Sequence, residues 1–63
     1  MKKIEDFNCL IGQDFKKSKT EDPYFLFPSL IDGRPMIKTL DFNPYRVNIS
    51  VENDKIIEII SFG

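Results

Sequence analysis

RVNISVENDKIIEIISF, residues 46 to 62, decides the fold. Side chains alternate along an extended chain, so Val47, Ile49 and Val51 fall on one side and Arg46, Asn48 and Ser50 on the other. Glu52, Asn53 and Asp54 carry turn chemistry, after which the chain resumes with Ile56, Ile57, Ile59, Ile60 and Phe62. The two runs predict a C-terminal antiparallel hairpin. Apolar residues on both faces of the returning strand predict a central, well-covered place for it.

Upstream, YFLFPSLI at residues 24 to 31 is rich in aromatic and branched side chains and predicts another strand. Its aromatics Tyr24, Phe25 and Phe27 are expected in the core. Pro28 has no N–H to donate, which puts this strand at an edge or breaks it there. Asp32-Gly33 is a turn signal. About 14 residues lie between Ile31 and Arg46, too many for a tight hairpin but enough for a crossover between parallel strands. Gly33, Pro35 and Pro44 and the lack of helical periodicity make that crossover an extended loop. Long loops without secondary structure in small domains are usually functional.

Towards the N-terminus, Ile4, Phe7, Leu10 and Ile11 form a short helical or turn-like apolar face that Gly12 ends. Residues 14 to 22, DFKKSKTED, predict one or two further helical turns, with Asp14 as cap and Pro23 as stop. The expected architecture is α+β, a small single domain over residues 1 to 63. A short N-terminal helix packs on a mixed sheet of about three strands. A long extended loop joins the first two, parallel strands, and an antiparallel hairpin closes the chain.

With 63 residues, the chain buries only about 60% of its unfolded surface, so packing leaves little margin. Nine basic and ten acidic side chains give a net charge of −1, which offers nucleic acid no basic patch. The early lysines are interleaved with acids and read as a solvated face. The sequence has no histidine and a single cysteine, Cys9. No internal disulfide, Cys–His couple or metal-ligand spacing follows from that set, so neither an enzyme, a metal nor a cofactor is expected. Cys9 is expected to act as a small buried hydrophobe. No membrane-span window or signal peptide is visible, which predicts a cytoplasmic protein, or a secreted one if the sequence is trimmed.

Within the loop, Arg46 is the natural anchor. It opens a strand on the polar side and carries five donors in a fixed fork. Asp41 and Thr39 lie five and seven residues upstream, within reach of that fork, and Asn48 shares the same side. A loop pinned this way presents Leu40 outward. The plainer alternative makes Arg46 an ordinary surface residue and packs Leu40 into the core.

Thr39-Leu-Asp-Phe-Asn-Pro-Tyr-Arg-Val-Asn-Ile49, followed by an acidic turn, an isoleucine-rich strand and a terminal glycine, resembles the potato inhibitor I family of serine protease inhibitors. It is more similar still to the related small bacterial and fungal inhibitors. Leu10-Ile11-Gly12-Gln13 resembles the entry to that family's helix. The likeness covers residues 9 to 13 and 36 to 63. It implies a protease-binding loop at about residues 36 to 43, with Lys38, Thr39, Leu40, Asp41, Phe42 and Asn43 as its contact residues. Leu40 would lie on the acyl side of the would-be scissile bond and enter the primary pocket of a subtilisin- or chymotrypsin-like protease. Arg46 and Asn48 would support the loop, with the Gly63 carboxylate positioning the arginine. Where the bacterial relatives pair an N-terminal cysteine with one before the last glycine, this chain has Phe62. The expected partner is a serine protease bound by a monomer, with an edge-strand dimer as the other arrangement. The alternative function is a non-inhibitory interaction or regulatory module, of bacterial or phage origin, on the same fold.

Overall fold

The computed structural model describes residues 2 to 37 and 41 to 63. It shows a small single domain in which one short helix lies against a mixed four-stranded sheet. The strands are β1 (Phe25–Ile31), β2 (Arg34–Pro35), β3 (Arg46–Glu52) and β4 (Lys55–Phe62), in the order β2-β1-β3-β4. β1 and β3 run parallel, the pairing that the long connection allows, and β3 pairs antiparallel with β4. The sheet has one strand more than the sequence predicts. Asp32 and Gly33 both take positive φ, +50° and +80°, and turn the chain tightly enough for Arg34 to pair with Ile31. Such a two-residue turn follows the right-handed twist of the strands it joins.

The helix, Ile4–Leu10, is a 3₁₀ helix. Three residues per turn bring positions i and i+3 into line, so Ile4, Phe7 and Leu10 form a single apolar row. Phe7 is buried, and Ile4 and Leu10 pack against the core. Ile11 and Cys9 fall off that row and are exposed, which corrects the expectation of a buried thiol. The Asp6 carboxylate accepts the Lys3 N–H at 2.8 Å and satisfies one of the donors left over at the helix start. Residues 14 to 22 form no helix. One turn closes where the amides of Lys17 and Ser18 donate to the Asp14 carbonyl, at 3.2 and 3.0 Å. The Asp14 carboxylate caps that turn through the Lys16 N–H. With Phe15 as its single apolar side chain, the segment has nothing to hold a second turn.

The core lies between helix and sheet: Phe7, Tyr24, Val47, Ile49, Val51, Ile56 and Ile59, flanked by Leu26, Phe15 and Phe62. The rings of Phe7, Tyr24, Tyr45 and Phe62 meet at 5.5 to 6.0 Å between centroids. Tyr24 buries its ring and accepts the Lys2 N–H on its hydroxyl at 3.0 Å, so its polar end is satisfied.

β3 lies inside the sheet, paired along its length with β1 and β4, and β4 lies at the edge. The expectation for β4 fails because its isoleucine pattern has another origin. Its register with β3 shifts twice: Val51 pairs with Ile56, Ser50 with Glu58, Ile49 with Ile59 and Asn48 with Ser61. Ile57 and Ile60 are the extra residues of two bulges. They are 47% and 39% exposed, whereas Ile56, Ile59 and Phe62 face the core at a spacing of three. The start of the β4 edge is covered by the chain after the helix. There the Gly12 N–H donates to the Ile56 carbonyl, the Ile56 N–H to Gln13 and the Phe15 N–H to Asp54. Pro28 does not break β1: the β1–β3 register shifts between Pro28 and Leu30, and the pairing with β2 on the other side reaches only Leu30 and Ile31, so the missing N–H of Pro28 costs no bond to β2.

The β3–β4 turn has Asn53 and Asp54 at φ of +52° and +64°. The neighbouring turn supports it: the Asp32 carboxylate accepts the Asn53 N–H at 3.0 Å, and the Asp32 N–H donates to Val51 at 2.8 Å.

Candidate functional site

The segment between β2 and β3 is fastened at both ends. On the incoming side the Met36 N–H donates to the Ser29 carbonyl at 2.8 Å and prolongs the β1–β2 pairing by one bond. Ile37 follows, almost wholly exposed. On the outgoing side Asn43 to Arg46 form a turn. The Arg46 N–H donates to the Asn43 carbonyl at 3.1 Å, and the Tyr45 N–H to the Asn43 side-chain oxygen at 2.9 Å. Pro44 presets the backbone angle that this turn's second position needs. Tyr45 is held by its ring contact with Tyr24, and its carbonyl accepts the Phe25 N–H at 3.0 Å. These contacts fix where β3 begins, and thus where Arg46 stands.

Alternation along β3 puts Arg46, Asn48 and Ser50 on the side of the sheet away from the helix. Contrary to the simple reading of a polar strand face, all of them are buried, Arg46 to 7% exposure and Asn48 to 2%. Part of their cover comes from β1, across the parallel register. Phe25 lies beside Arg46 and Phe27 beside Asn48. The Arg46 guanidinium carbon is 5.6 Å from the centroid of the Phe27 ring, within cation–π range. Arg46 therefore passes from polar strand residue to buried anchor through a strand some twenty residues earlier in the chain.

From that position Arg46 Nη2 donates to the main-chain carbonyl of Asp41 at 3.2 Å. The sequence placed Asp41 within reach of the arginine's fork; this bond runs to its backbone and so does not depend on the aspartate side chain. Asn48 Nδ2 donates to the Gly63 main-chain oxygen at 3.2 Å and approaches Ser61 Oγ at 3.4 Å. The Gly63 N–H returns to the Arg46 carbonyl at 3.0 Å. Phe42, largely exposed, rests its ring edge against Gly63. Asp41, Phe42, Asn43, Arg46, Asn48 and Gly63 are thus brought into one cluster. Lys38, Thr39 and Leu40, the expected centre of the loop, lie outside the described residues.

This arrangement can hold a peptide segment in place. Among the described residues no group of carboxylates and thiol is placed to bind a metal ion. No helix among them is long and apolar enough to cross a membrane. The burial of Arg46 against Phe27 and the seat of Phe42 on Gly63 escaped the sequence reading, because both join segments far apart in the chain. The molecule is a small helix-and-sheet domain with an arginine-anchored connection between its parallel strands. No protein-family model, curated protein or solved structure matches the chain.

Proposed function

We propose that this protein is a serine protease inhibitor that offers residues 36 to 43 as a substrate-like loop to a subtilisin- or chymotrypsin-like protease, with Leu40 in the primary pocket. One observation carries the reading: a buried arginine, fixed at the head of β3, spends a donor on the backbone of Asp41. A guanidinium held in this way restrains the main chain and leaves loop side chains free for a partner. A loop already restrained loses little conformational freedom on binding, so an interface of ordinary size, about 1,200–2,000 Å², gives high affinity.

The same anchoring explains how such a loop would resist turnover. Attack by the protease serine on the Leu40 carbonyl forms the acyl-enzyme and releases the amine of Asp41. Arg46 holds Asp41 by its carbonyl, and the tethered amine stays beside the ester and re-forms the peptide bond faster than it departs. Effective concentrations of well-oriented groups are large, which favours religation over hydrolysis.

Inhibition constants against subtilisin, chymotrypsin and elastase test this reading. Leu40→Gly should raise the constant for the best target by about ten- to a hundredfold, the worth of one buried leucine side chain. No inhibition of any of the proteases at inhibitor concentrations on the order of tens of micromolar, about −6 to −7 kcal/mol of binding, sinks the proposal.

A further inference from the structure

We propose that Phe42 is a positioning residue, a clasp that fastens the outgoing side of the loop to the chain end by resting on Gly63; this rests on reading residues 36 to 43 as the working loop. The ring is largely exposed, so hydrophobic burial does not explain its place. Its specific contact is with Gly63. A Cβ built on that glycine would lie 2.9 Å from Phe42 Cε1 and 3.1 Å from Cδ1, so that the ring would have to move aside. In its present seat the ring occupies the space that a side chain at position 63 would fill. Gly63 also takes φ of +108°, a backbone region that other L-residues avoid.

Gly63 is itself well held. Its N–H donates to the Arg46 carbonyl, and its main-chain oxygen accepts from Asn48 Nδ2. The ring of Phe42 is thus seated on a residue fixed to β3, one position beyond the Asp41 carbonyl that Arg46 grips. Two successive loop residues are tied to β3, one by its backbone and one by its ring. The loop-supporting role of Gly63 comes from its missing side chain as well as from its polar groups.

The clasp is tested without recourse to inhibition. In the NMR spectrum the Phe42 ring should displace and separate the two Gly63 Hα signals, an effect kept in Phe42→Tyr and lost in Phe42→Leu. A metalloprotease specific for the amino side of aspartate reads the loop independently of any serine protease. It should cut before Asp41 between about two- and tenfold faster in Phe42→Leu, the worth of one aromatic contact. Phe42→Tyr should restore the wild-type rate. Gly63→Ala should give the faster cutting with Phe42 intact. Gly63 signals unmoved by Phe42→Leu, or equal cutting of Phe42→Leu and wild type, would overturn the proposal. A protein that inhibits no serine protease but shows both effects keeps the clasp and loses the inhibitor reading. An inhibitor that shows neither effect keeps the inhibitor reading and loses the clasp.

Discussion

Replacing Arg46 with alanine removes the side chain on which the anchored connection depends, and the size of the effect can be worked out from its contacts. The hydrogen bond to the Asp41 carbonyl has a charged donor, a kind that contributes about 1.5–3 kcal/mol. Asp41 is exposed, so water recovers part of that once the arginine is gone, and the lower end applies. The guanidinium over Phe27 is largely desolvated and adds about 1 kcal/mol. The buried stem would contribute about 0.8 kcal/mol for each methylene if no neighbour moved in. These contributions overlap, and a total of about 3 kcal/mol is expected. A domain of this length has about 3–9 kcal/mol in all, so Arg46→Ala should lose a third or more of the stability. Urea unfolding followed by circular dichroism reads this directly. At about 1 kcal/mol per molar, the slope for the smallest domains, the midpoint should fall by about 2–3 M. Arg46→Met keeps much of the stem and Arg46→Lys keeps the charge; each should recover part of the loss and neither all of it. An Arg46→Ala protein within about 0.5 kcal/mol of wild type, the scatter of ordinary surface changes, would refute the reasoning, because no buried anchor is lost so cheaply.

The bulges in β4 predict that neighbouring isoleucines differ sharply. Ile56→Ala and Ile59→Ala should each cost about 2–5 kcal/mol, whereas Ile57→Ser and Ile60→Ser should stay within about 1 kcal/mol, all by urea unfolding. Equal losses at the four positions would refute the register. Asn48→Ala should cost about 1–3 kcal/mol in the same assay, because it removes the buried donor of the bond to the Gly63 main-chain oxygen. Asp54→Gly should raise the thermal midpoint, since a left-handed backbone burdens a non-glycine residue by about 1 kcal/mol and the bond to Phe15 uses only the Asp54 carbonyl. A lower midpoint would show that the Asp54 side chain has a role of its own.

Features that depend only on neighbours along the chain were legible from the residues alone. Strict alternation from Arg46 to Val51 fixed a strand and the side that faces the core, because a strand's period is two. Turn chemistry at Asn53-Asp54 closed the hairpin, and the length of the connection before Arg46 left room for a parallel crossover. Apolar residues three apart at Ile4, Phe7 and Leu10 marked the helix. Tertiary structure decided what depends on segments distant in sequence. A run such as Ile56-Ile57-Glu58-Ile59-Ile60 fits a two-sided central strand and a twice-bulged edge strand equally well; only the register with β3 separates them. Arg46, Asn48 and Ser50 are polar in any reading, and whether such a face meets water depends on what lies beside it. Phe25 and Phe27 from β1 supply part of its cover here. That cover makes an arginine at a strand end into a buried anchor, since a guanidinium shut away from water must direct its donors to the protein around it.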